Sequence, residues 1–388
     1  MGFAKYLVRA GHEVQIVAGL PNHPVSAVYP AYRGKLLVRE NFLGISVMRT
    51  YIYANPQKRL HHRLLNFFSF GFSCLSAINL KEKFDALLLS IPPIFSIPSA
   101  FLIARLKEIP LVLDVRDFWP RAATSLGELK DNFTTRLLEG LMKKCYLRAD
   151  QIAVVTQGIL DALIEAGIPP EKIHLVTNGV DNEIYHPDAK ESGREVYRAL
   201  GCEDKFIVLY AGVVGIIHGS WVIGETARLL KDQHEIAFVV IGDGVKKAEL
   251  EAMKLEYGLA NLYLLGNMQP SDLLPYLQGA DLGLSTLQNA YFCESTIPVK
   301  IFSYMACGLP VVFAGRGEGR QIVQDNGAGI CLEAEDPQAL AATVLDLKND
   351  PEQRHSMGKR GMQTVSKRFS RQALAESLES VIQVAIQK

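Results

Sequence analysis

Glu294-Ser295-Thr296-Ile297-Pro298-Val299-Lys300-Ile301-Phe302-Ser303-Tyr304-Met305-Ala306-Cys307-Gly308-Leu309-Pro310-Val311-Val312 is the stretch whose reading decides the fold. It reads as a loop, a helix opened by proline, a glycine cap and a strand. Proline suits a first helical turn, where its missing N–H has no partner to lose, and glycine tolerates the left-handed residue that closes a helix. The run Leu309–Phe313 lacks polar alternation, so its strand is expected to be buried on both faces, as in a parallel sheet. A helix between two such strands starts at the sheet's carboxyl edge. Its first amides, near Pro298, and the Lys300 ammonium would converge on one place, which suits a phosphate. Lys300 and Tyr304 are four residues apart and share a helix face.

Outward from this stretch the same alternation of apolar runs and helical patterns continues in both directions. Strands are expected at Val14–Ala18, Ser46–Thr50, Ala86–Ser90, Leu111–Val115, Gln151–Val155 and Lys172–Val176. A second series comprises Phe206–Ala211, Ile236–Ile241, Asn261–Leu265, Asp281–Ser285, Leu309–Phe313 and Gly329–Leu332. Helices such as Ser220–Lys231, Val245–Tyr257 and Lys300–Cys307 fall between them. The pattern predicts an α/β chain of two doubly wound domains, 1–180 and 181–368, joined near Asn178–Glu191 and facing across a ligand-binding cleft. A final helix over 369–388, apolar along Leu374, Leu378, Val381, Ile382 and Ala385, is expected to pack back on the first domain. One irregularity stands out at the start. Gly2–Ala10 reads as a helix that runs through Gly11-His12-Glu13 straight into a strand, so the first domain is expected to lack its opening strand.

Composition narrows the class. The chain has 388 residues, 48% hydrophobic and 21% charged, which fits a soluble protein with more than one core. Lys+Arg and Asp+Glu are each 41, so no basic excess points to nucleic acid. Six cysteines lie far apart without paired CxxC spacing, which argues against structural zinc or a disulfide framework and suits a reducing cytoplasm. The N-terminus carries Arg9 and His12 in its apolar run and does not read as a signal peptide. The uncharged run Ala86–Ala104 is long enough to span a membrane, but Pro92, Pro93 and Pro98 break it into a strand, a loop and a helix starting near Ser96.

Three strand ends in the second half carry glycine. Gly212-Val213-Val214-Gly215-Ile216-Ile217-His218-Gly219 follows one strand and precedes a helix, a place where backbone amides approach an anion. The bland alternative is a turn that needs glycine for geometry, and His218 is then a surface residue. Gly242-Asp243-Gly244 ends the next strand and reads equally as a tight turn. Gly266-Asn267-Met268-Gln269-Pro270 ends the third, where a base could lie against backbone groups. In the first half, Asp117 follows Leu111–Val115 at a carboxyl edge. It is a candidate to orient or deprotonate a hydroxyl, or else a helix cap before Trp119-Pro120.

These segments resemble the retaining glycosyltransferases of family 4, which have the two-Rossmann-domain GT-B fold. The resemblance runs through Gly11-His12-Glu13-Val14, Asp117-Phe118-Trp119-Pro120, Asn178-Gly179-Val180-Asp181, the Gly212–Gly219 loop, Gly242-Asp243-Gly244 and Met305–Val312. It is nearest to bacterial sugar transferases of O-antigen, capsule and colanic-acid assembly, particularly the L-fucosamine-transferase-like subgroup. It implies a nucleotide diphosphate sugar bound by the C-terminal domain, an acceptor bound by the N-terminal one, and retention of anomeric configuration. Donor contacts are then expected from Gly212, Gly215, His218, Gly219, Gly242, Asp243, Gly244, Asn267, Met268, Glu294, Ser295, Lys300, Ser303 and Tyr304, with Asp117 catalytic. Many members carry two glutamates eight positions apart where this chain has Ser295 and Ser303, with Glu294 adjacent to the first. The usual Arg and Lys of the phosphate loop fall at Val213 and His218, and Lys300 is expected to supply the missing charge.

No Asp-x-Asp pair occurs, so neither a metal nor another cofactor is expected; the nucleotide sugar, expected in its UDP-linked form, is a substrate. Lys58-Arg59-Leu60-His61-His62-Arg63 precedes an apolar helix, Leu64–Ile78, with Phe67, Phe68, Phe70 and Phe72. That combination suits a lipid-diphosphate-linked saccharide and peripheral contact with the inner membrane face, or a packed amphipathic helix with a solvated start. Two other functional classes stay open: a non-hydrolysing nucleotide-sugar epimerase, and a non-catalytic sugar-nucleotide-binding relative.

Overall fold

The computed structural model describes residues 2–22, 26–57, 60–79, 81–91, 94–117, 132–187 and 190–387. The Phe118-Trp119-Pro120 segment, Lys58, Arg59, Pro92 and Pro93 lie outside the described residues. The chain divides into two compact units, one of Met1–Thr177 with Leu374–Lys388 and one of Asn178–Ala373.

In the second unit six strands form one parallel sheet: β8 (Phe206–Ala211), β9 (Ile236–Ile241), β10 (Leu262–Leu265), β11 (Leu282–Thr286), β12 (Val311–Ala314) and β13 (Gly329–Leu332). Their spatial order is β10-β9-β8-β11-β12-β13. This is the doubly wound order, in which the chain builds outward from β8 in one direction and then returns to build in the other. β8, β9 and β11 are buried at every residue, which is why their sequences are unbroken apolar runs. Helices cover both faces. One side holds a core around Phe302, Tyr304 and Phe313, the other a core around Phe238, Val240 and Leu284.

The first unit is built from two sheets. β1 (Gln15–Gly19), β2 (Leu37–Phe42) and β3 (Ile45–Thr50) form a sheet ordered β1-β3-β2. β1 runs parallel to β3, with Gln15 opposite Ser46, and β2 runs antiparallel, with Leu37 opposite Thr50. β4 (Leu87–Ile91), β5 (Leu111–Val115), β6 (Gln151–Val154) and β7 (Ile173–Leu175) form a parallel sheet in sequence order. Among the described residues, no strand joins β1 to β4. The first described element is a helix, Ala4–Arg9.

Two local readings change. β2 was not expected, because Leu37-Val38-Arg39-Glu40-Asn41-Phe42 is a largely exposed edge strand with little apolar signal. It pairs through a turn at Leu43 and Gly44, whose φ values of 52° and 80° match the tight hairpin type, although the residue pair is not the usual Asn-Gly. The helix after Pro298 opens at Lys300. Ile301 and Phe302 donate to the carbonyls of Pro298 and Val299, so the entry is a tight three-residue turn ahead of the helix.

The final helix is Arg371–Ile386. Its residues Leu374, Leu378, Val381 and Ala385 are buried against Val112 of β5, Ala153 of β6 and Val176. His12 bonds Glu379 at 2.8 Å on the same helix.

Candidate donor site

β8 is the switch point of the second sheet, because the crossovers on its two sides leave in opposite directions. The carboxyl end beside it is therefore left open, and ligands bind there in sheets of this order. The loop after β8 is held from both sides. Gly212 N–H donates to Ile241 at 2.8 Å and Val214 N–H to Asp243 at 2.9 Å, tying the loop to the end of β9. Gln288 N–H donates to Ile217 at 2.9 Å, and the Thr286 hydroxyl donates to the carbonyl of His218, tying it to the end of β11. Glycine is required at the first of these contacts. A Cβ on Gly242, at φ 147°, would lie 1.9 Å from the Gly212 carbonyl oxygen. The Gly242-Asp243-Gly244 turn thus lets two strand ends touch, and the Asp243 carboxylate accepts from the amide of Gly244 at 2.8 Å.

A cavity of about 280 Å³ opens at this point. Ala211, Gly212, Val213 and His218 line it from β8 and its loop, and Leu273 and Leu277 from the helix Pro270–Gly279. Pro298, Val299, Lys300, Ser303 and Tyr304 line it from the quoted stretch. Lys300 Nζ is buried without a hydrogen-bond partner among the described residues and sits 3.4 Å from the centre of the Tyr210 ring. Burial holds its ammonium well below the usual lysine range. His218 Nδ1 is likewise buried and unpartnered. Burial, with the nearby Lys300 charge adding to it, pushes the His218 imidazole down to about 4. No carboxylate lines the cavity among the described residues. Buried polar atoms without partners are costly, so two in one cavity mark a candidate ligand site.

The other expected contacts fall in different places. Tyr304 is fully buried; its hydroxyl accepts from the Ala211 amide at 2.8 Å and donates to the Leu284 carbonyl at 3.1 Å. It therefore pins β8 to β11, and its hydroxyl is already committed. Gly215 precedes the short 3₁₀ turn Ile216–His218, and Gly219 closes that turn in the left-handed region. Asn267 is exposed beyond β10, and Met268 packs against the core. Glu294 and Ser295 are both exposed beside the short helix Tyr291–Glu294, and neither lines the cavity. The structure thus gathers Gly212, His218, Lys300, Ser303 and Tyr304, and adds Val213, Leu273, Leu277 and the Tyr210 ring. Val213 belongs to the Gly212–Gly219 loop, but Leu273, Leu277 and Tyr210 carry no motif. Each lies in an ordinary apolar run, and only the crossing of β8 with two helices brings them to one place.

In the first unit, Asp117 stands exposed just beyond the carboxyl end of β5. Partial desolvation raises its carboxyl above the usual range, and the Arg116 charge pulls the other way. Arg116 itself is held by Asp114 at 2.8 Å and lies over the Phe3 ring. The helix expected over 64–78 spans Leu60–Ser73. It packs tightly, since a Cβ on Gly71 would lie 2.3 Å from the Phe95 carbonyl oxygen, yet it leaves Phe68 and Phe72 exposed. No helix among the described residues is long and apolar enough to cross a membrane, and no cluster of three His, Cys, Asp or Glu residues among them could hold a metal ion.

Comparison with known proteins bears on both units. Residues 198–364 match the family described as glycosyl transferases group 1, and residues 1–179 match the glycosyl transferase 4-like domain. The putative colanic acid biosynthesis glycosyl transferase WcaI of Escherichia coli (strain K12) is 26% identical over 353 residues, covering 88% of this chain and 85% of the relative. Anabaena HepE in complex with UDP shares the fold with a TM-score of 0.71 at 15% identity, over 95% of this chain and 99% of that one. Sucrose-phosphate synthase from Thermosynechococcus elongatus does so with a TM-score of 0.73 at 17% identity, over 98% and 91%. With both units matched in this way, the chain is a glycosyltransferase of the GT-B fold, related to the nucleotide-sugar transferases.

Proposed function

We propose that this protein transfers a sugar from a UDP-linked donor, of the N-acetyl-fucosamine type, to a lipid-diphosphate-linked saccharide during surface polysaccharide assembly. The observation that carries the reading is the pair of buried, unpartnered nitrogens, Lys300 Nζ and His218 Nδ1, in the cavity at the end of β8. The Escherichia coli relative is named for colanic acid biosynthesis, and the HepE structure holds UDP; both support the choice of donor and setting.

The chemistry follows from charge. Breaking the bond between the sugar and the diphosphate leaves negative charge on the leaving oxygen. Donors fixed in a dry cavity stabilise that charge without reorganising. In this reading Lys300 takes the diphosphate as an ammonium and His218 donates a hydrogen bond to it. The amides of the Gly212–Gly219 loop complete the shell, Ser303 lies near the ribose, and no metal is needed. Gly242, Asp243, Gly244, Asn267 and Met268 border the base, and Glu294 with Ser295 approaches the sugar. Asp117 accepts the proton of the acceptor hydroxyl, and the sugar keeps its anomeric configuration.

Mass spectrometry of products from a panel of nucleotide sugars and lipid-linked acceptors tests the reading. Sugar transfer from a UDP donor supports it, while epimerised donor without acceptor, or UDP binding with no transfer across the panel, overturns it. Asp117→Asn is expected to lower turnover by about 100-fold or more with UDP affinity unchanged, the size of a general-base contribution.

A further inference from the structure

We propose that Tyr210 is the positioning residue for Lys300: its ring holds the lysine ammonium at the carboxyl end of β8, ready for the donor diphosphate. The inference rests on the donor reading above.

The geometry starts from the alternation of a strand. Tyr210 and Ala211 are neighbours at the end of β8, so their side chains leave opposite faces of the sheet. Ala211 packs in the core around Phe302, Tyr304 and Phe313, and Tyr210 in the core around Phe238, Val240 and Leu284. The helix Lys300–Ala306 buries its apolar side chains in the first of these cores. Yet Lys300 Nζ stands over the Tyr210 ring, which belongs to the second. The lysine stem therefore crosses the end of the sheet from one face to the other. It crosses at Gly212, where a Cβ would lie 3.0 Å from Lys300 Cε.

The crossing decides what the ammonium meets. A buried cation without a hydrogen bond is costly, and an aromatic face attracts it more strongly once water is excluded. At 3.4 Å from the ring centre, the Tyr210 face supports the charged amine, whereas burial favours the neutral one. The other groups around it do not take that part. His218, on the loop, carries no negative charge, and the Tyr304 hydroxyl is committed to Ala211 and Leu284. Leu273 and Leu277, from the helix Pro270–Gly279, are apolar. The ring is itself tied down, because the Tyr210 hydroxyl donates to the Val213 carbonyl at 2.7 Å. One residue thus sets both the place of the ammonium and the start of the Gly212–Gly219 loop.

Such a seat suits a donor site. The ring answers the charge without the directed bond that a carboxylate would take. The amine can turn to a diphosphate without first breaking an ion pair, and its long stem is already ordered.

Calorimetry with UDP, and NMR of the full chain isotope-labelled at the lysine ε-carbons, test this. Ring current shifts protons above an aromatic face upfield. The Lys300 ε-protons, assigned by their loss in Lys300→Met, are expected upfield of the ordinary lysine range. Tyr210→Phe should keep that shift and most of the UDP affinity, because the ring remains. Tyr210→Leu should lose the shift and weaken UDP binding by about tenfold or more, the size of a desolvated cation–π contact. Added to Lys300→Met, it should cost nothing further, a coupling that a merely structural role would not give. The pH profile has a definite sign. The ring favours the charged amine, so affinity for UDP should start to fall at lower pH in Tyr210→Leu than in wild type.

The wild-type shift requires no variant to fold, and its absence overturns the proposal. Equal UDP affinity of Tyr210→Leu and wild type overturns it too, as does a loss that adds in full to that of Lys300→Met. If the wild type does not bind UDP, or Lys300→Met binds it equally well, the donor reading itself fails and takes this inference with it.

Discussion

The two units use the same strand–helix alternation, but they differ at the centre. In the second unit β8 lies between β9 and β11 with all of its residues buried. In the first unit β1 and β4 each end a sheet; β1 is half-exposed throughout, and β4 leaves Leu88 and Ser90 exposed. The difference shows what a central strand does for function. A strand flanked by crossovers in opposite directions leaves a gap at its carboxyl end, and glycine loops can close around that gap. The cavity with Lys300 and His218 sits at such a place. The first unit, with no strand joining β1 to β4 among its described residues, offers Asp117 at the end of β5 as an exposed side chain instead.

The largest expected effect tests packing on the two sides of this comparison. Phe302→Ala, in the core behind β11, should destabilise the second unit by about 3–5 kcal/mol, whereas Leu88→Ala on β4 should change stability by less than about 1 kcal/mol. Equal losses in urea unfolding would remove the contrast. A smaller effect is expected at the joined strand ends. Gly242→Ala meets a backbone oxygen and should destabilise by about 2–4 kcal/mol. Gly11→Ala in the first unit meets nothing within 4 Å and should show only the strain of its positive φ, about 1 kcal/mol. Thermal melting of the two variants separates contact from strain.

Lys300→Met sharpens the comparison at the site itself. Loss of a charge-assisted contact should weaken UDP binding by about 10- to 100-fold, read by calorimetry. The melting temperature should hold or rise, because a buried amine without a partner is removed. The last test is in acid. The His218 imidazole is held at about 4 in the folded chain against an ordinary value of 6.5. Between those values the unfolded chain binds the proton and the folded chain does not, so this residue makes stability fall as pH drops from 6.5 towards 4. His218→Gln should flatten that part of the melting profile, and an unchanged profile would show that the imidazole is not desolvated.

The sequence by itself determined the α/β class and most of the strands. Phe206–Ala211, Ile236–Ile241, Leu111–Val115 and Gly329–Leu332 appear with the expected bounds, because strands buried on both faces must be continuous apolar runs. The exposed edge strand β2 escaped, since a strand that buries little has little pattern. The glycines at Gly212 and Gly242 were visible as turns, but their contact with one another was not.

Only the tertiary structure decided what the site residues do. Lys300 and Tyr304 share a helix face, yet the tyrosine hydroxyl is consumed by Ala211 and Leu284 while the lysine amine has no hydrogen-bond partner among the described residues. Glu294 and Ser295 stand close to Pro298 in sequence and still lie outside the cavity lining. Spacing along the chain states which side chains can be neighbours. Which of them is buried and unpaired depends on what the other strands bring, and for Lys300 that is the ring of Tyr210, ninety positions earlier in the chain.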